Sequence, residues 1–76
     1  MKVFYICVWG GGTPKYLVSA ETKERAWELV QNEWKKTYDG NIGSDYYHRD
    51  RCQTIDSLIE LDFLADKECI IDLSKM

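Results

Sequence analysis

Val3-Phe-Tyr-Ile-Cys-Val-Trp9 is a run without a polar side chain, dominated by β-branched and aromatic residues. That composition predicts a strand covered on both faces. Alternation places Val3, Tyr5, Cys7 and Trp9 on one face and Phe4, Ile6 and Val8 on the other. Gly10-Gly-Gly-Thr-Pro-Lys15 reads as a loop and Tyr16 to Ser19 as the returning antiparallel strand, so the chain opens with a β-hairpin.

The segment from Thr22 to Tyr38 has a different period. Ala26, Trp27, Leu29, Val30, Trp34 and Tyr38 share one stripe at helical spacing, with Lys23, Arg25, Glu28, Asn32 and Lys35 mostly outside it. Thr22 can accept a hydrogen bond as an N-cap, Glu24 suits the positive end of the helix dipole, and Lys35 and Lys36 suit the negative end. Gly40 supplies a stop. This is an amphipathic helix that packs on the sheet.

Residues 39 to 51 show no periodicity and read as a connection longer than the usual loop of about 4–6 residues. Thr54 to Asp62 fits a strand through Ile55, Ile59, Leu61 and Phe63, yet Ile55, Leu58 and Ile59 also fit a short helix; the strand is the favoured reading. A turn at Ala65 to Glu68 and a last strand at Cys69 to Leu73 follow. The expected fold is one α+β domain over residues 1–76. Its order is ββαββ: a β-hairpin, one amphipathic helix, then a C-terminal β-hairpin, in an antiparallel sheet with the helix on one face.

A chain of 76 residues buries only roughly 60% of its unfolded surface, so the core is thin. The net charge of −3 is unevenly spread: residues 1–38 carry six Lys/Arg against four Glu (+2), and residues 39–76 carry four Lys/Arg against nine Asp/Glu (−5). Such a balance argues against nucleic-acid binding, which needs a basic face, and leaves an acidic half able to meet a basic protein surface. The three cysteines, Cys7, Cys52 and Cys69, suit neither a secreted disulfide framework nor a zinc site with paired spacing; buried reduced thiols are the expectation. No secretion signal or membrane span is read, and a cytoplasmic location is expected.

No residue constellation calls for catalysis, a metal or a cofactor. The three glycines join strand to strand rather than strand to helix, which suits a turn and not a phosphate loop. The single histidine, His48, has no orienting group for a Cys-His nucleophile. The candidate binding residues are of two kinds. Tyr46, Tyr47, Arg49 and Arg51 combine ring faces with guanidinium forks that suit a nucleotide or an acidic partner. Asp62, Asp66 and Glu68 represent the acidic half, and Trp9 is expected to be partly exposed beside the glycines, whereas Trp27 and Trp34 are expected in the core.

The order of a strand "VFYICVWGG", a returning "YLVSAETKERAWELV" and an acidic strand-rich tail resembles small phage and prophage proteins. The resemblance implies an inhibitor of host defence, such as an anti-CRISPR protein that docks on its effector, or a sponge that sequesters a nucleotide. Two functions therefore compete: a protein-binding inhibitor using the acidic half, and a small-ligand binder using residues 45–51. Since one helix shields only one face of a sheet, the apolar second face of the first strand also predicts a homodimer or a covering partner.

Overall fold

The computed structural model describes residues 1–9, 14–36, 42–43 and 52–75. Four strands, β1 (Lys2–Cys7), β2 (Lys15–Ala20), β3 (Ile59–Leu64) and β4 (Cys69–Asp72), and one helix, α1 (Lys23–Lys35), follow in the order ββαββ. All strand pairs are antiparallel, and the sheet order is β3-β1-β2-β4. The expected α+β class and element order hold. No helix among the described residues is long and apolar enough to cross a membrane.

The helix starts where its chemistry says it should. Thr22 has extended backbone, and its hydroxyl accepts a hydrogen bond from the Arg25 amide at 3.1 Å. Ala26, Val30 and Trp34 form the buried stripe, and they join Phe4, Ile6, Val8, Tyr16, Val18, Ala20 and Leu58 in one core. Trp27 packs against that core while half-buried. Tyr38 and Gly40 lie outside the described residues.

The strand register sets which residues see the helix. Phe4 stands opposite Val18 and Ile6 opposite Tyr16, so those four share the helix side; Val3 opposite Ser19 and Tyr5 opposite Leu17 share the other. Val3 is buried yet belongs to no part of the helix-side cluster.

Two expectations change in the C-terminal half. Residues 55–57 form a single 3-10 turn, which drops Leu58 into the core before β3 begins at Ile59. The helical and extended spacings were both partly right, because the turn uses one and the strand the other. Secondly, β3 and β4 do not form a C-terminal hairpin. They occupy opposite edges of the sheet, each pairing with one strand of the N-terminal hairpin. The link 65–68 must therefore cross three inter-strand spacings, about 14 Å, which four residues in extended form can span.

Hydrogen bonds pin that crossing segment to the sheet end. The Met1 ammonium donates to the Ala65 carbonyl at 2.7 Å, and the Ala65 amide donates to the Met1 carbonyl at 2.8 Å. The buried Ser19 hydroxyl donates to the Lys67 carbonyl at 2.6 Å and accepts from the Cys69 amide at 3.0 Å. Those bonds satisfy backbone groups that a hairpin would have paired between β3 and β4.

Candidate functional site

Among the described residues no α-helix covers the sheet face away from α1. Register places Val3, Tyr5, Cys7, Leu17 and Ser19 there from the central strands, with Cys69 and Ile71 from β4 and Ile59 from β3. The β1–β3 pairing shifts register between Lys2 and Phe4, but Glu60 and Leu64 are both opposite helix-side residues, so Leu61 and Phe63 alternate onto the open face. Ile59 is 58% exposed, Phe63 56% and Ile71 42%. Contiguous exposed apolar side chains of this kind mark interaction surfaces.

Charge is segregated on the edge strands β3 and β4. Lys15, opposite Cys7, is the one charged strand residue on the open face among those the register fixes. Glu60, opposite Phe4, and Asp72, opposite Tyr16, stand on the other side, and alternation places Asp62 with Glu60. Both β3 and β4 are edge strands, and the acids on β3 discourage indiscriminate edge pairing.

The acidic residues expected to bind do not form one equivalent set. Asp62 is exposed on β3 and Asp66 is exposed on the crossing segment. Glu68 is engaged by the Arg25 guanidinium: Nε donates to Oε2 at 3.1 Å and Nη2 to Oε1 at 2.8 Å, while Nη1 reaches Glu28. The two-pronged contact fastens the first turn of α1 to the crossing segment.

That hydrogen-bonded pairing, together with the guanidinium charge, holds the Glu68 carboxyl below its usual range and raises Arg25 further. A depressed acid contributes stability above its unfolded pKa and loses it as pH falls through the folded value. Glu68→Gln is therefore expected to flatten the acid side of the stability profile and leave the alkaline side unchanged. The pair is solvent-exposed, so its contribution to stability is screened. Urea midpoints of both proteins between neutral pH and about pH 3 check it; identical acid slopes would show that the contact carries no linkage.

Trp9 is 44% exposed, as expected, and its amide donates to Gln53 Oε1 at 2.8 Å. Tyr46, Tyr47, Arg49 and Arg51 lie outside the described residues. Cys7 is half-buried, but Cys52 and Cys69 are exposed, which corrects the expectation of buried thiols. Their positions explain it: Cys69 opens an edge strand on the face away from α1, and Cys52 precedes the first buried residue of its segment.

Two residues that sequence reasoning passed over organise the far end of the sheet. Gln53, buried, donates from Nε2 to the Cys7 carbonyl at 2.9 Å, accepts from Trp9, and donates its own amide to the Ile42 carbonyl at 3.1 Å. Gly43, at φ +74°, lies against it, where an added Cβ would come within 2.5 Å of the Gln53 Cγ. Beside this wall a cleft of about 500 Å³ opens between α1 and residues 52–55, with Trp27, Gln31, Trp34 and Lys35 on its helix side.

Comparison with protein-family models, curated proteins and solved structures finds no match to this chain.

Proposed function

We propose that the chain is a non-enzymatic binding protein of the phage-inhibitor kind, a two-fold dimer closed through its open sheet face that presents its acidic residues to a basic surface on a host protein. The observation that carries this reading is the segregation on the edge strands, where Ile59 and Ile71 stand on the open side and Glu60 and Asp72 on the other. An apolar face with almost no charge cannot select a charged partner, but it complements itself across a two-fold axis, the commonest closed symmetry of soluble oligomers. The acids it leaves outside would speed encounter with a basic partner.

The dimer is tested with Phe63→Glu/Ile71→Glu. Both side chains are exposed, so the monomer fold is expected to survive. In sedimentation equilibrium at micromolar concentration the native chain should run at twice its 8.9 kDa mass and the double variant at the single mass. A native protein that sediments as a monomer sinks the dimer.

The acidic contact is tested with Asp62→Lys/Asp66→Lys, which spares the structural Glu68. Affinity capture from the source cell with native mass spectrometry identifies the partner. The variant should then associate more slowly with it, and with a weaker salt dependence. Equal association rates at low salt would rule the acidic contact out.

A further inference from the structure

The cleft beside α1 is separate from the open sheet face and from the acidic residues, since its walls are the helix flank and residues 52–55. We infer that it binds a small planar aromatic ligand carrying a negative charge. Three features converge. Its volume, about 500 Å³, falls in the range that holds a drug-sized or cofactor-sized molecule. Trp27 and Trp34 both line it, and the half-buried Trp27 offers an indole surface for offset stacking.

The third feature is charge. The chain is acidic overall, yet no Asp or Glu is among the described lining residues, and Lys35 is their single charged group. Lys35 is exposed, and among the described residues no carboxylate lies within ion-pair distance of it; Glu33 pairs with Lys36 instead. An ammonium with no carboxylate partner among the described residues, at the lip of an aromatic cleft, selects an anion. Gln31 and Thr54 add hydrogen-bonding groups that can orient the ligand.

The opposite wall is held in place without the ligand. Gln53 is hydrogen-bonded to both Cys7 and Trp9 of the β1 end, so binding needs little rearrangement there. Pre-formed walls lower the ordering cost of binding.

The test uses three probes on the native chain: 2-naphthoate, adenosine 5′-monophosphate and uncharged adenosine. The chain has three tryptophans, whose indole N–H resonances report separately in heteronuclear NMR. Saturable shifts at Trp27 and Trp34, with Trp9 unmoved, are expected from at least one anion at millimolar concentration, and weaker shifts from adenosine. Binding of 2-naphthoate alone supports an aromatic carboxylate as the ligand; binding of the monophosphate alone supports a nucleotide.

Lys35→Glu should weaken whichever anion binds by about tenfold or more, with the spectrum otherwise intact. Lys35→Arg should restore most of the affinity. Three results would overturn the inference: no saturable shift from either anion, equal affinity in Lys35→Glu, or shifts confined to Trp9 and the open sheet face. None of these depends on whether the chain dimerises.

Discussion

Phe4→Ala is expected to lower the unfolding free energy by about 3–5 kcal/mol, whereas Phe63→Ala changes that of the monomer by less than about 0.5 kcal/mol. Both are phenylalanines on adjacent strands of one sheet, but Phe4 has no exposed surface and Phe63 is 56% exposed. Phe4 lies in the cluster with Val18, Ala26 and Val30, so truncating it loses transfer free energy and leaves a cavity between sheet and helix. A domain of this length has a total stability of roughly 4–11 kcal/mol. Phe4→Ala therefore removes a large part of it, and the variant should be partly unfolded at physiological temperature. Urea midpoints at low protein concentration make the comparison. Equal shifts at the two positions would mean that the helix side is not the dominant core. The pair also connects stability to assembly: the cost of Phe63→Ala should grow with protein concentration if the open face is closed by a second copy, because association stabilises the folded state by mass action.

The same asymmetry explains how much of the fold could be read from sequence. β1 reads as a strand because every residue from Val3 to Trp9 is apolar, and α1 because Ala26, Val30 and Trp34 repeat at helical spacing behind a Thr22 cap. Residues 54–64 resist a single reading because Ile55 belongs to a 3-10 turn and Ile59 to a strand, with Leu58 turned into the core between them. A single period cannot describe a 3-10 turn and an extended strand within eleven residues. The split of β3 and β4 to opposite edges is harder still. It depends on bonds from Met1 to Ala65 and from Ser19 to Lys67, contacts 64 and 48 residues apart in sequence. A hint was present in the link itself, since Ala65-Asp-Lys-Glu68 lacks the glycine or asparagine that a tight hairpin turn favours.

The candidate sites were legible in part, and for a related reason. The apolar second face of β1 is written in Val3, Tyr5 and Cys7, and the sequence pattern offers one helix to cover the two faces of the sheet. Segregation of the acids from that face required the register, because a shift by one residue would have placed Glu60 and Asp62 on it. The cleft joins Lys35 on the helix to Thr54 on a distant segment. Trp27 looked like a core residue by spacing, and it does pack on the core; its exposed part, which the spacing does not reveal, lines the cleft.

Gln53→Leu is expected to cost about 2–4 kcal/mol, although the two side chains are similar in size, because the Cys7 carbonyl and the Trp9 amide each lose a partner at a part-buried site. Gly43→Ala is expected to cost about 1–3 kcal/mol for two reasons that act together. Its φ of +74° disfavours any side chain, and the new methyl would meet Gln53 Cγ, Cβ and Oε1 at 2.5–2.6 Å. The two positions should therefore couple. In Gly43→Ala/Gln53→Gly the Cβ, Cγ and Oε1 that the new methyl would meet are all gone, so the double variant should lose less than the sum of its singles by at least about 0.5 kcal/mol. Chemical denaturation of the four proteins in this cycle measures the difference, and the fluorescence of Trp9 should shift in each variant that lacks Gln53, since its backbone anchor is gone. Additivity within about 0.3 kcal/mol would mean that backbone conformation alone requires glycine at position 43 and that the close approach of Gln53 contributes nothing to it.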